Sequence, residues 1–413
     1  MKLIITLITL TLLSFHAVGQ DQDLHLKDLE ALNLALQKTP GYRDQIRGER
    51  KKAYDLLFQE LKSASIGPSA LDTFYHFSRL LGPIRDMHLG FWQVWDRTVS
   101  MDKLQDSAYI SAYQHTPAFK KVSFVTLNLD SLQHALQKMP LDSIEGIYSA
   151  GKFGTVGIFR TKVRDSLVAA CLSPGFRNSR PGEIFGIFRE HSKDKFRGVY
   201  VSPITKSLIY SRDIGFQKGI FSRLELRKPG ASTRAELWNT KPFTYGKLSG
   251  KFQYLHLGSF QSSNSNLKVA KAFHDQVKDS LSAPDLIVDL RGNSGGGDRC
   301  SEQFLKLIRT YARHGRVHIL VNRFVMSNAE QFTLKLKGRK NVKVYGETTA
   351  GVIAYGKNYG DPVTLPSGRF QLYNTDMKDT GNYLRYEEVG IAPDIPLNES
   401  SDWISQVMAL IGI

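Results

Sequence analysis

The sequence predicts an α/β protein with an N-terminal helical region, a β-rich middle domain and an α/β core that ends in a helix. Apolar residues recur at near-helical spacing over residues 20–100, which predicts helices. Short β-branched and aromatic runs alternate with turn residues over 101–245, which predicts strands. Strand and helix patterns alternate over 246–413, which predicts a mainly parallel sheet covered by helices.

The N-terminus has the pattern of a secretory signal peptide. Lys2 precedes an apolar run, and Ala17-Val18-Gly19 fits a cleavage site. The apolar stretch is shorter than the roughly 20 residues that span a bilayer. We therefore expect residues 1–19 to be removed, the mature protein to be periplasmic or secreted, and no membrane span to remain.

Composition and charge exclude several classes of protein. The chain of 413 residues is 41% hydrophobic and 23% charged, as is usual for a globular protein. Its net charge of +16 bears on solubility and steering, not on fold. The densest basic run, 335–340, has no interleaved aromatic residues, so we expect a solvated surface and no nucleic-acid partner. Cys171 and Cys300 exclude a disulfide-rich scaffold, and whether they pair stays open.

The individual elements of each region follow from local patterns. In the helical region, Gly82-Pro83 is a break, and it is followed by Asp86-Met-His88-Leu-Gly-Phe91. The middle domain is predicted to be a small sandwich or barrel. Its predicted strands are 122–127, 154–159, 186–188, 198–201 and 208–210. The core is predicted to have strands 252–257, 285–290, 317–321 and 342–345, and helices 267–281, 299–312 and one starting near Ser327.

Ser327 and Glu330, three residues apart, form the pattern of a capping box at the start of a helix. Helix capping alone would explain both residues. A serine at this position would, however, also lie beside free backbone N–H groups and the positive end of the helix dipole. Such N–H groups can hold an oxyanion, and the N–H of Asn328 is the natural candidate.

The run Asp289-Leu-Arg-Gly-Asn-Ser-Gly-Gly-Gly297 lies between a predicted strand and a predicted helix. It lacks the spacing of phosphate-binding and dinucleotide-binding loops, and no cofactor or metal motif occurs elsewhere. Its glycines allow close approach to a substrate, so Gly295 or Gly296 could supply a second N–H donor. The run also fits the nucleophile-elbow pattern around Ser294, but that pattern needs a downstream acid and then a late histidine, an order that the sequence does not supply.

Four motifs in series resemble the tail-specific (C-terminal processing) protease family. They are the glycine run, the segment around Ser327, Gly346-Glu-Thr-Thr-Ala-Gly351 and Gly390-Ile-Ala-Pro-Asp-Ile395. The resemblance implies a crotonase-like (ClpP-like) core, Ser327 as nucleophile, and a peptide or protein substrate. The family's peptide-binding module has no recognisable counterpart in 101–245, and the oligomeric state stays open.

The base lysine of many family members is missing here, because Val352 follows Gly351. Lys357 lies five residues later and is one alternative base. The resemblance to the lysine-lacking, tricorn-like branch implies instead that His88 is the base and Glu387 orients it. Glu388 is the adjacent alternative acid, and Met87 stands where that branch has a serine. These departures leave open an inactive ligand- or peptide-binding protein on the same scaffold.

Overall fold

The computed structural model describes residues 23–412 except 66, 68, 96–98, 162–165, 223, 233–239, 359 and 400. The predicted signal peptide, 1–19, lies outside the described residues. Within them, no helix has the length and apolar character needed to cross a membrane.

Helices occur mainly in the first third of the chain and between the core strands. In chain order the described helices are α1 (23–37), α2 (Pro40–Gln45), α3 (Glu49–Ser63), α4 (Ala70–Ser78), α5 (Ser107–Gln114), α6 (Pro117–Lys120), α7 (Leu129–Leu136), α8 (Asn264–Val277), α9 (Asp298–Tyr311), α10 (Asn328–Leu336) and α11 (Trp403–Leu410). Helices α5 to α7 were not predicted.

The strands form two sheets. In chain order they are β1 (Gly90–Gln93), β2 (Gly146–Ser149), β3 (Gly154–Arg160), β4 (Ser166–Pro174), β5 (Ile184–Ser192), β6 (Lys195–Val201), β7 (Leu208–Gln217), β8 (Ile220–Phe221), β9 (Leu226–Arg227), β10 (Phe243–Lys247), β11 (Phe252–Leu257), β12 (Asp285–Asp289), β13 (Arg316–Val321), β14 (Val342–Gly346), β15 (Val363–Thr364), β16 (Phe370–Tyr373) and β17 (Ile395–Pro396).

The chain divides into two compact units, one of Met1–Ala231 with Lys357–Met377 and the other of Ser232–Gly356 with Lys378–Ile413. This grouping differs from the predicted boundaries at 100 and 245. The helical region and the β-rich region share a unit because they share a core, in which Phe74 and Phe77 of α4 belong to one cluster with Val199 of β6 and Leu208 of β7.

The sheet of the first unit has the order β15-β16-β1-β7-β6-β5-β4-β3-β2-β9-β8. Strand β8 also pairs with β7, so the strands from β2 to β9 form a closed ring. The sequence predicted a small sandwich or a barrel, and the structure has the barrel. Four of the five predicted strands are present. The fifth, 122–127, forms a single bridge, between Phe124 and Glu183.

The second unit is a six-stranded sheet in the order β10-β11-β12-β13-β14-β17. All its pairs are parallel except β10 with β11, which confirms the predicted parallel layer. Residues on one face pack against α8, α9 and α10, and those on the other face pack against α11. The carboxyl ends of the parallel strands lie at one edge of this sheet, so the loops that follow the strands begin there. Open α/β sheets place their ligand-binding sites at this edge.

Both cysteines are free and buried, Cys171 in β4 and Cys300 in α9. Burial raises the pKa of each thiol to about 11, so neither is a reactive thiolate at neutral pH.

Candidate active site

Ser327 lies on a sharp turn between β13 and α10, and its backbone is strained. Its φ of 55° and ψ of −125° place a non-glycine residue in a region that L-residues rarely adopt. Such a conformation costs on the order of 1–3 kcal/mol and persists only when its surroundings enforce it. A strained serine at a strand-to-helix turn is the geometry of a nucleophile elbow, so the backbone makes Ser327 the candidate nucleophile.

Glu330, one turn into α10, is the group that enforces this conformation. One of its oxygens accepts hydrogen bonds from the N–H groups of Ser327 (3.1 Å) and Val352 (2.9 Å). The other accepts from the Thr349 hydroxyl (2.6 Å) and the Gly351 N–H (2.8 Å). The carboxylate half of the predicted capping box is therefore formed. The same side chain also fixes the loop after β14 to the start of α10.

The glycine turn is hydrogen-bonded to the Ser327 turn through Asn293. Its carbonyl accepts from the Met326 N–H (3.1 Å), and its side-chain amide donates to the Leu257 carbonyl (2.8 Å). The side-chain oxygen accepts from the Gly295 N–H (2.8 Å), so that N–H is already used within the turn. The expectation that Gly295 donates to an oxyanion is therefore not supported.

Two N–H groups remain as candidate oxyanion donors, those of Gly296 and Asn328. Neither has a hydrogen-bond acceptor among the residues that the structure describes. Asn328 is the first residue of α10, where a backbone N–H has no partner within the helix. Gly296 is exposed.

Gly295 lies against the nucleophile turn and has φ of 92°. A Cβ on Gly295 would lie 2.8 Å from the Ser327 Cβ, 3.0 Å from the Asn328 nitrogen and 2.7 Å from the Met326 carbonyl oxygen. These atoms belong to a rigid turn, so an added methyl group would displace them. The absence of a side chain here therefore keeps the space beside Ser327 open.

We expect the Gly295→Ala variant to lose about 10²-fold or more in kcat/KM for peptide hydrolysis, as expected when an oxyanion donor is displaced. The matched control is Gly338→Ala, since Gly338 has a similar φ of 85° with open space around its Cβ position. Both variants carry the left-handed backbone cost of about 1–2 kcal/mol, which unfolding measurements would report. Equal activity of the two variants would contradict the role given to the space at Gly295.

Ser294 lacks the features of a nucleophile elbow. It is exposed, and α9 begins four residues later at Asp298, with Gly297 as its cap. The later histidine on β13, His318, is buried in contact with Asp285 (2.8 Å) and Tyr345 (3.2 Å). Asp285 is the first residue of β12, at the end of that strand opposite to Ser294, so His318 is held away from the glycine turn.

Glu387 is buried in the second unit, next to the loop that Glu330 holds. One oxygen of Glu387 accepts hydrogen bonds from the N–H groups of Ile353 and Ala354, each 2.8 Å long. The preceding residue, Val352, accepts the Ser327 N–H through its carbonyl (2.7 Å). The loop at 349–354 therefore connects the nucleophile turn to the Glu387 carboxylate. Glu388, the alternative acid, is partly exposed, which favours Glu387 as the anchored group.

His88 lies in the first unit, in a loop whose backbone is held by side chains from other elements. Three arginines and one glutamine reach the consecutive carbonyl oxygens of this loop. Arg212 donates to Leu81 and Ile84, Arg197 to Gly82 (2.8 Å), Arg50 to Pro83 (2.7 Å) and Gln45 to Arg85 (2.7 Å). Arg212 is itself buried. Because each backbone carbonyl from 81 to 85 is held by a hydrogen bond, the backbone of the following residues, which include His88, has a defined position.

Asp86 completes this arrangement from inside the loop. One of its oxygens accepts hydrogen bonds from the N–H groups of His88 (3.0 Å) and Leu89 (3.3 Å), and the other accepts from the Thr375 hydroxyl (2.6 Å). The carboxyl is fully buried, and burial raises its pKa to about 6, against the opposing effects of these hydrogen bonds and of Arg212. Asp86 thus fixes the His88 backbone.

We expect Asp86 to make folding stability depend on pH. Its pKa rises from 3.8 to about 6 on folding, so the folded state binds this proton more tightly. The favourable contribution is complete below the unfolded pKa and is lost as pH rises through the folded pKa. Relative to wild type, the free energy of unfolding of Asp86→Asn should therefore rise by about 3 kcal/mol between about pH 3 and pH 7. Denaturant unfolding at several pH values checks this, and a pH-independent difference would contradict it.

Lys357, the alternative base, lies in the first unit with its ammonium group engaged. It donates to the Asn374 side-chain oxygen (2.9 Å) and the Asp361 carbonyl (3.2 Å), and lies 4.9 Å from the centre of the Tyr373 ring. All three contacts engage the Lys357 side chain with residues of the first unit. The structure therefore gives no support to Lys357 as a general base.

Sequence reasoning missed several supporting residues. Thr349 and Asn293 lie inside motifs that were recognised, so their polar side chains in glycine-rich loops were an available signal. Arg212 and Arg197 lie in strands of the first unit more than one hundred residues from the His88 loop, and no local pattern marks them.

The chain also matches a known family over the segment that carries Ser327 and Glu387. Residues 301–397 match the model of peptidase family S41. The resemblance to C-terminal processing proteases that the sequence indicated is thereby confirmed. His88 lies outside the segment matched by the S41 model.

Solved structures with detectable similarity include proteases. Mature CPAF complexed with lactacystin is 12% identical (TM-score 0.41), with 94% of this chain and 98% of that chain covered. The tricorn protease is 13% identical (TM-score 0.39), with 94% and 36% covered. The photosystem II D1 C-terminal processing protease is 14% identical (TM-score 0.36), with 95% and 97% covered. No curated protein matches the chain. The similarity to peptidase family S41 therefore rests on the match over residues 301–397.

Proposed function

We propose that the protein is an exported serine peptidase in which Ser327 is the nucleophile, His88 the general base and Glu387 the group that orients the base. The observation that carries this proposal is the strained backbone of Ser327, at the start of a helix and against a turn of glycines. A structural serine needs no such strain, whereas a nucleophile needs an exposed Oγ beside N–H donors.

The proposed reaction is acyl transfer in two steps. The His88 ring takes the Ser327 hydroxyl proton as Oγ attacks the scissile carbonyl carbon. The N–H groups of Asn328 and Gly296 hold the oxyanion, each contributing about 3 kcal/mol. His88 then returns the proton to the leaving amine as the C–N bond breaks and the acyl-enzyme forms. A water molecule, deprotonated by the same ring, hydrolyses the ester.

The supporting side chains have defined roles in this proposal. Glu387 stabilises the charged imidazole, and the backbone N–H groups of Ile353 and Ala354 hold its carboxylate in place. The arginines that hold the His88 loop reduce the number of positions its backbone can take. Such preorganisation lowers the cost of reaching the reactive geometry.

The substrate class is proposed from the match of residues 301–397 to the model of peptidase family S41. A peptide or an exposed protein segment fits a hydrolase that acts by acyl transfer. Export to the periplasm or the medium follows from the N-terminal pattern, and the crotonase-like arrangement of the core follows from the family resemblance. Both remain predictions.

The function is tested with purified protein and a diverse peptide mixture. Mass spectrometry of the products should show new termini that appear over time and that a serine-directed phosphonate suppresses. The Gly338→Ala variant should give the same products. An absence of cleavage, together with no phosphonate labelling, would reject the peptidase and favour the inactive binding protein.

A further inference from the structure

The first unit contains a pocket of about 300 Å³ that the proposed chemistry does not use. It lies where β1 ends and β7 begins, and residues of α4, α5 and α6 contribute to its walls. This volume is at the lower end of the range for small-molecule sites. Every residue that lines it belongs to the first unit.

The walls are mainly apolar. They include Leu71, Val94, Trp95, Tyr113, Val201 and Leu208. Of these, Val94 and Trp95 are 41% and 40% exposed, which is unusual for large apolar side chains that lie next to each other. Exposed apolar groups beside a concave pocket are typical of a binding site.

Most polar groups of the pocket are already engaged within the protein. The Gln93 side-chain oxygen accepts from the Leu208 N–H (3.2 Å), and the Thr205 and Ser207 hydroxyls bond each other (2.6 Å). Lys206 is buried and paired with Glu183, whose second oxygen accepts from the Arg180 N–H (3.1 Å). These groups therefore shape the pocket more than they select a ligand.

The charge available to a ligand is positive. Within the described part of the chain, the charged residues that line the pocket are Lys121 and Lys206, and no carboxylate is among them. Lys121 is exposed, and no acidic residue that the structure describes pairs with it. A cationic ligand would be repelled, whereas an anionic end-group would meet the Lys121 ammonium group beside an apolar cavity.

We propose that this pocket binds a small amphipathic carboxylate, with its apolar body between Trp95, Leu71 and Leu208 and its carboxylate at Lys121. The cavity excludes water from the apolar body, and Lys121 selects the sign of the charge. The site is separate from the residues that carry the proposed hydrolysis. Its occupation does not depend on Ser327.

Calorimetric titration of the full chain with decanoate, below its micellar concentration, tests this proposal. Saturable binding is expected, and decyltrimethylammonium, which has the same chain and the opposite charge, should bind at least about tenfold more weakly. Lys121→Glu should weaken decanoate binding about tenfold or more. Lys120→Glu is the matched control, because Lys120 is also exposed and does not line the pocket. This variant should bind decanoate with the same affinity as the wild-type protein.

Ser123→Trp, which fills the pocket, should abolish binding with an unchanged circular dichroism spectrum. Ser327→Ala should bind decanoate as wild type does, which separates this site from the proposed hydrolysis. The proposal is overturned by non-saturable binding, by equal affinity for the two probes, or by unchanged affinity in Lys121→Glu.

Discussion

Replacing Ser327 with alanine is expected to lower kcat/KM for peptide hydrolysis by roughly 10⁴-fold or more. The substitution removes the only atom that forms the proposed acyl bond. The Ser327 N–H donates to the Glu330 carboxylate and the Val352 carbonyl, and these backbone hydrogen bonds remain in the variant. The unfolding midpoint should therefore change by no more than about 2 °C. Steady-state kinetics and thermal unfolding of the same preparation measure both quantities.

Ser294→Ala is the matched control for this variant. It removes the hydroxyl of the other candidate serine from an exposed position in the glycine turn. We expect wild-type kinetics from it. If Ser294→Ala lost activity and Ser327→Ala kept it, the nucleophile would be Ser294 and the proposed site would be wrong.

Replacing His88 with alanine is expected to lower kcat by about 10³-fold or more, because the hydroxyl of Ser327 then has no proton acceptor. The pH profile should also lose the acidic limb that an imidazole base produces. The hydrogen bonds that Asp86 accepts from this loop come from the backbone N–H groups of His88 and Leu89, so the loop should keep its conformation.

Two controls accompany the His88 variant. His134→Ala removes an exposed imidazole from α7 and should leave the kinetics unchanged. Lys357→Met removes the alternative base and should retain most of the activity. A His88 variant as active as wild type, with an inactive Lys357 variant, would assign the base to Lys357.

The core of the second unit was predictable because its signals are local. Strand Asp285–Asp289, for example, is buried on both faces and contains the apolar run Leu286-Ile-Val288. The first unit was harder to predict from sequence. Helices such as Pro117–Lys120 are too short for an apolar period to show, and the sheet closes through two-residue strands.

In the candidate site, too, local sequence patterns indicated some residues and missed others. Ser327, Asn328 and the glycine turn are adjacent to strand ends and helix starts, so their sequence positions indicated their roles. The contacts that hold them are long-range. Arg212 lies 131 residues from the carbonyl of Leu81 to which it donates, and nothing in the neighbourhood of Arg212 indicates that partner. Such contacts depend on how distant parts of the chain pack together, and local patterns in a single sequence do not predict that packing.

The most direct test of the central claim is the location and rate of a covalent adduct with a serine-directed phosphonate, mapped by peptide mass spectrometry. We predict one adduct on Ser327 in the wild-type protein, formed about 10²-fold or more slowly in His88→Ala, since the base activates the hydroxyl. An adduct on Ser294, or equal rates in the wild-type and His88→Ala proteins, would contradict the proposed pairing of Ser327 with His88.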